Sequence, residues 1–316
     1  MASTLSPPRS PMRAGLSFSA FPLLSRELVS RPGAECAVLL LRFGLPGGAA
    51  LGVSQPCTHV KFRLDGLLPR ARTFSLVSAA HERGAFAIAV KVRPGGRASP
   101  RLAALRPGVD SALFARTLTK RLAAPLGGAD ARGARLALVV FGIGVTEVLL
   151  TAREALRAGQ RVGLLVAARA AVDLLFVREL CEAAAEAAAG ADADAAGADA
   201  DAAAQTVAAA GAGAAPPPMR LRFLLSREEP PAALVAELDD ICGGPGAAAR
   251  CGVSVARGRV DAASIAETFG GGAWRGAATL CVGTKAQARE AYTLLAAEAG
   301  AVRRLVGRPM LSGLCF

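Results

Sequence analysis

The run Leu136–Leu150, LALVVFGIGVTEVLL, limits what this chain can fold into more than any other stretch. Its aliphatic part ends at Gly142-Ile143-Gly144, and apolar residues return as Thr146-Glu147-Val148-Leu149-Leu150 and continue to Arg157 at helical spacing. The run is too short to span a membrane. Strand, glycine turn and helix in this order predict a parallel strand covered on both faces, because only such a strand is apolar throughout. The glycines let the backbone approach a ligand, and the first turn of the helix offers unpaired N–H groups to an anion such as a dinucleotide phosphate. An ordinary strand–helix turn has the same pattern. The third glycine of G-x-G-x-x-G is missing, and Glu147 stands where its charge would oppose a phosphate.

Beyond Gly127-Gly128 the alternation repeats. Leu136–Phe141 reads as a first strand, Glu147–Ala158 as a helix, Arg161–Val166 as a second strand and Asp173–Ala189 as its helix. Arg220–Leu225 is a third strand, and Leu280–Val282 a late one followed by the helix Ala286–Ala299. Such alternation predicts a parallel sheet with helices on both faces. The segment Ala183–Pro218 interrupts it with alanine, aspartate and glycine, closing in Pro216-Pro217-Pro218. Its first residues suit an extension of the preceding helix; the part from about 190 to 218 lacks the bulky apolar side chains that offset ordering entropy, and reads as a disordered insertion.

Before that boundary the period changes. Cys36–Phe43, His59–Leu64, Arg72–Val77 and Ala85–Val92 alternate with period two, separated by turns such as Pro46-Gly47-Gly48, Asp65-Gly66 and Arg83-Gly84. Short strands at this spacing predict a small antiparallel barrel. After them Pro94-Gly95-Gly96-Arg97-Ala98-Ser99 opens a short helix from Pro100, a second candidate anion site. The organisation is therefore a tail at 1–20, a barrel domain at 21–127 and a nucleotide-binding domain at 128–316.

Composition narrows the function. The formal charge of +12 is carried almost wholly by arginine, with no basic tract and no interleaved aromatics, so nucleic acid is not the expected partner. An anionic cofactor or an acidic protein fits that charge. Seven cysteines without a C-x-x-C pair suggest neither a metal site nor a disulfide framework. No segment has the apolar length of a membrane span. The first 20 residues, with Ser, Pro, Arg9 and Arg13, resemble an organelle transit sequence and equally suit a plain tail. The first reading implies a mitochondrion or plastid, the second the cytoplasm.

Barrel, glycine loop and parallel domain in this order resemble the ferredoxin reductase superfamily of flavoenzymes, and most of all its cytochrome b5 reductase branch. The resemblance covers about Phe21 to Val306 and includes Phe21-Pro-Leu-Leu-Ser, Leu41-Arg42-Phe43-Gly44-Leu45-Pro46 and Thr58-His59-Val60. It implies a Greek-key FAD-binding barrel followed by a Rossmann-like parallel α/β domain. The family's flavin signature R-x-Y-S/T looks like Arg72-Thr73-Phe74-Ser75, with Ser78 following. Arginine pairs with a pyrophosphate, the aromatic ring covers the flavin, and the serine bonds the ring near N5. Val90-Lys91-Val92 resembles the next flavin-contacting strand, and Gly95-Gly96-Arg97-Ala98-Ser99 the pyrophosphate loop G-G-x-x-S. Phe74 lacks the tyrosine hydroxyl.

For the pyridine nucleotide, G-G-x-G-x-T-P looks like Phe141-Gly142-Ile143-Gly144-Val145-Thr146-Glu147, with Phe141 at the first glycine and Glu147 at the proline. Thr146 and Ser75 are the candidate catalytic residues. Leu164–Arg169, Asp173-Leu174-Leu175-Phe176 and Glu179-Leu180 resemble the block G-A-R…D-x-L-F…E-L. Arg169 suits a 2′-phosphate and leans the choice between NADPH and NADH toward NADPH. At the late C-G-P motif Gly283 takes the glycine, so Val282 stands at the cysteine, Thr284 at the proline, and Cys281 is one position early, on the opposite face of a strand. The terminal Phe316 suits a flavin shield or a frayed end.

The resemblance implies an FAD-dependent NAD(P)H oxidoreductase, with no metal, passing electrons to a one-electron acceptor such as an acidic cytochrome b5-like haem protein. The departures at Phe74, Phe141, Glu147 and Val282 also suit a weakened or silent relative that binds nucleotide or serves in assembly. A flavin or ferric reductase releasing electrons to small acceptors is a third reading.

Overall fold

The structure, a computed structural model, describes residues 18–50, 59–63, 71–78, 82–117, 133–202, 217–270, 274–299 and 303–304. The tail up to residue 17, Thr58, the turn at 65–66, the boundary near 127, positions 203–216 of the insertion and Phe316 lie outside the described residues.

Six strands form the first sheet: β1 (Ser19–Leu28), β2 (Val38–Gly44), β3 (His59–Arg63), β4 (Ala71–Ser75), β5 (Ala85–Lys91) and β6 (Ser111–Thr117), with the short helix α1 (Ser99–Ala103) between the last two. Every pairing is antiparallel, in the order β4-β3-β6-β1-β2-β5. A bridge between Leu76, just past β4, and Ile88 of β5 joins the two ends, so the sheet closes on itself. Phe43, Phe86 and Phe114 fill its centre, with Phe43 and Phe114 edge-to-face at 4.8 Å. β5 shows why the barrel is not free-standing. Phe86, Ile88 and Val90 alternate into the barrel core, while Ala89, on the other face, is buried against the second half of the molecule.

The second sheet is built from β7 (Arg135–Phe141), β8 (Arg161–Ala168), β9 (Met219–Leu225), β10 (Val253–Arg257), β11 (Ala278–Val282) and β12 (Arg303–Arg304). They run parallel in the order β10-β9-β8-β7-β11-β12. The helices α2 (Val145–Arg157), α3 (Val177–Ala202), α4 (Ala232–Ile241), α5 (Ala247–Arg250), α6 (Ala262–Phe269) and α7 (Lys285–Ala299) cover it. One core cluster lies under α2 and α3, another around Phe269, Trp274 and Tyr292 on the opposite face. This is the expected fold class. Among the described residues no helix is long and apolar enough to cross a membrane.

One expectation is corrected. α3 runs on to Ala202, so the segment from about 190 is helical over 190–202 rather than irregular. Leu180, Cys181, Ala183 and Ala184 anchor its first turns in the core, and alanine, the best helix former, suits its continuation. β1, β6, β10 and the helices α4 to α6 were not legible in the sequence. In β1 only Leu23 is buried, and in β10 only Val253, so neither strand shows an alternation to read.

α2 is the element that touches both halves. Val145, Val148, Leu149, Ala152 and Ala155 pack on the parallel sheet. Glu147 and Leu150, three residues apart on another face, turn to the barrel, and Leu150 joins its core cluster. A bidentate pair between Arg31, in the loop after β1, and Glu237 of α4 at 2.7 and 2.8 Å ties the halves again.

Candidate functional site

In the parallel sheet β8, β9 and β10 extend from one side of β7, whereas β11 and β12 lie on the other. Chain connections therefore diverge at the carboxyl ends of β7 and β11, which leaves a crevice at that edge. Its rim is interlocked. A methyl at Gly144 would come within 3.0 Å of Val282 Cγ1 and 3.1 Å of the Val282 carbonyl oxygen. A methyl at Gly283 would come within 2.7 Å of the Phe141 ring. The bulky residues at 141 and 282 thus face the two glycines that make room for them. The Thr146 hydroxyl donates to the Ile143 carbonyl at 2.9 Å and closes the turn into α2. On the other strand Thr284 and Gln287 form a reciprocal capping box at 3.0 and 3.2 Å, which starts α7 where the family has proline.

The barrel faces this rim across one cavity of about 1130 Å³. From the barrel come Arg72, Phe74, Ser75, Lys91 and the whole loop Gly95, Gly96, Arg97, Ala98 and Ser99; from the other half come Phe141, Gly142, Gly144, Thr146, Glu147, Arg169, Val282 and Gly283. Ser99 Oγ accepts from the Arg93 N–H at 3.2 Å, which pins the glycine loop. Residues named from the sequence at distant positions thus share one surface. Three do not join it. Val90 points into the barrel core, 1% exposed. Val92 is paired through its N–H to the Ala37 carbonyl. Ser78 is buried and accepts from the Ala87 N–H at 3.0 Å, so its hydroxyl serves the barrel wall rather than the cavity.

Glu147 departs furthest from expectation. Its side chain is not directed at an anion in the turn. It crosses to the barrel, where the Ser75 hydroxyl donates to Oε2 at 2.6 Å and His59 Nε2 lies 2.8 Å from the same oxygen. All three residues are buried. Oε1 is buried with no hydrogen-bond partner among the described residues. The charge that argued against a phosphate is thus spent on a contact between the halves. No sequence signal announced it, because His59, Ser75 and Glu147 are brought together only by tertiary packing.

Arg169 reaches the cavity and is ion-paired with Glu35 of the barrel side, with Asp173 further away at 3.9 Å. Two further cations at the ends of β9 and β10, Arg227 and Arg259, also line this end of the cavity and are exposed. Sequence reading missed both, since nothing local marks a strand-end arginine as facing a cavity.

Cys281 and Val282 separate as strand alternation requires. Val282 lines the cavity, while Cys281 is buried in the cluster with Phe269 and Tyr292 on the opposite face. Burial pushes the thiol of Cys181 up strongly, and that of Cys242 up to about 11, so neither offers a thiolate near neutral pH. Cys36 is half-buried on the cavity wall.

Solved structures resemble the chain over nearly its whole length. An Amycolatopsis cytochrome P450 reductase matches with 18% identity and a TM-score of 0.61, covering 93% of this chain and 71% of the other. The cytochrome b5 reductase domain of Ulva prolifera nitrate reductase matches with 17% identity and a TM-score of 0.59, covering 91% and 97%. The flavohem-like FAD/NAD binding domain of a nitric oxide dioxygenase from Vibrio cholerae matches with 16% identity and a TM-score of 0.57, covering 90% and 94%. No protein-family profile matches the sequence, and no curated protein does. The chain shares the fold of these reductase and FAD/NAD binding domains, an antiparallel barrel followed by a Rossmann-like parallel domain.

Proposed function

We propose that the cavity binds FAD on its barrel wall and NADPH or NADH across the edge of the parallel sheet, and that the protein is an NAD(P)H-dependent flavin oxidoreductase. The observation that carries this reading is the single cavity that joins Arg72, Phe74, Ser75 and the Gly95–Ser99 loop to the turn Gly142–Thr146 and Gly283. The residues fit the cofactor chemically. Arg72, Lys91, Arg93 and Arg97 supply cations around a glycine loop for a pyrophosphate, Phe74 an aromatic face, and Ser75 and Glu147 polar groups on a buried wall. When bound, FAD supplies the conversion of a two-electron hydride donor into a one-electron donor.

The chain's own contribution is positioning. Arg72 and the Gly95–Ser99 loop hold the phosphates, Phe74 packs on the ring system, and the interlocked rim of Phe141, Gly144, Val282 and Gly283 fixes where the nucleotide backbone can pass. Thr146 acts by setting that turn, since its proton is given to the Ile143 carbonyl. Hydride transfer needs no general base. Arg169, Arg227 and Arg259 form the cationic end of the cavity and favour NADPH; a bound 2′-phosphate competes with Glu35 for Arg169. The acceptor is a one-electron redox protein with an acidic face, a cytochrome b5-like haem protein being the type that suits a chain of formal charge +12.

Titration of the purified protein with FAD tests the reading. It predicts stoichiometric binding, weakened at least tenfold in Arg72→Ala. Protein that stays colourless after incubation with FAD removes it and leaves the silent nucleotide-binding subunit in its place. NADPH should bind tighter than NADH, and Arg227→Ala with Arg259→Ala should erase the difference.

A further inference from the structure

Ser75 and Glu147 leave the cavity wall with an unusual hydrogen-bonding character. A serine hydroxyl has one proton, and that of Ser75 is given to Glu147 Oε2 at 2.6 Å. His59 Nε2 approaches the same oxygen at 2.8 Å, so Oε2 is fully engaged from the barrel side. What remains of this pair is the free lone pairs of Ser75 Oγ and the unpartnered, buried Oε1 of Glu147. Both residues line the cavity, at 7% and 4% exposure. The wall here accepts hydrogen bonds and donates none. Oε1 is itself sealed from the cavity, so the acceptor that this pair presents there is Ser75 Oγ.

At N5, flavin offers a donor to such an acceptor only once it is reduced. The oxidised ring has a bare N5, an acceptor that an acceptor wall repels. Hydride transfer places a hydrogen and two electrons on N5, converts NAD(P)H to NAD(P)⁺, and turns N5 into a donor. Resting on the reading of this cavity as a flavin site with Ser75 beside N5, we propose that Glu147, acting through Ser75, makes the protein prefer reduced over oxidised FAD and so raises the flavin potential. Glu147 is a positioning residue here: by taking the serine proton it decides which way the hydroxyl faces. A competing effect has the opposite sign. The carboxylate repels the negative charge that hydride transfer leaves on the flavin, but that charge is delocalised toward N1, across the ring from N5, whereas the N5 contact is direct.

Spectroelectrochemical titration of FAD-loaded protein separates the two. Glu147→Gln is nearly isosteric and puts an N–H donor into the wall. Glu147→Ala frees the Ser75 proton to face the cavity. The expected result is a roughly tenfold loss of preference for reduced over oxidised FAD in Glu147→Gln, a midpoint about 30 mV lower for a two-electron couple. Glu147→Ala should move the same way. FAD-loaded Glu147→Gln with an unchanged or raised midpoint overturns the proposal while leaving the flavin reading intact. So does a variant altered only in its affinity for the nucleotide, which would assign the donor facing Ser75 Oγ to the nicotinamide carboxamide. Wild-type protein that holds no FAD overturns the flavin reading itself, and the proposal with it.

Discussion

The two walls of the cavity are built differently. On the barrel wall, Arg72, Ser75 and the Gly95–Ser99 loop keep the residue types of the sequence pattern, Phe74 lacks only the hydroxyl, and all of them line the cavity. On the opposite wall, four positions depart from the patterns sought in the sequence, and each departure is matched by a neighbour. Phe141 sits over Gly283, Val282 against Gly144, Thr284 is capped by Gln287, and Glu147 is received by Ser75 and His59. At the two glycines the fit is steric, since a methyl at either position would meet the bulky residue facing it. The paired fit indicates that the edge formed by β7 and β11 is packed as a unit.

That difference can be broken experimentally, starting with the largest effect. Glu147→Ala removes a buried carboxylate and its two contacts to the barrel, which should cost about 3 kcal/mol in urea denaturation. Gly283→Ala drives a methyl into Phe141 and should cost about 2 kcal/mol. Combining it with Phe141→Ala should recover part of that, giving a non-zero coupling in a double-mutant cycle. Additive losses would mean that the two positions are not matched. On the barrel wall the effects should move from stability to binding. Arg72→Ala should weaken FAD by about 1.5 kcal/mol while changing stability by less than about 0.5 kcal/mol. The smallest effect is at Cys36, which lines the cavity: FAD should slow its alkylation several-fold by peptide mass spectrometry, whereas buried Cys181 should resist alkylation with or without FAD.

Legibility in the sequence followed the same division. The barrel strands β2 to β5 and the glycine loop were readable because inward and outward residues alternate and the turns carry glycine. β7, β8 and β9 were readable because a strand covered on both faces is apolar throughout. β1 and β10 were not, since each buries a single residue. At the site, residue types within a local motif were found, but partners distant in sequence were not. Ser75 and Glu147 are 72 positions apart, and no periodicity relates them. Val90 and Ser78 were assigned to the cofactor because a motif names a strand without saying which of its faces looks into the cavity. Glu147 was read as a charge opposed to phosphate because a helix N-terminus, taken alone, has no second wall for the side chain to reach.

Anaerobic single-turnover mixing of FAD-loaded protein with excess NADPH tests most directly whether this matched nucleotide edge still works. Packed as a unit, it should hold the nucleotide productively, so the flavin absorbance should bleach in one phase whose rate saturates with NADPH. FAD-loaded protein that stays yellow with both NADPH and NADH would contradict the account.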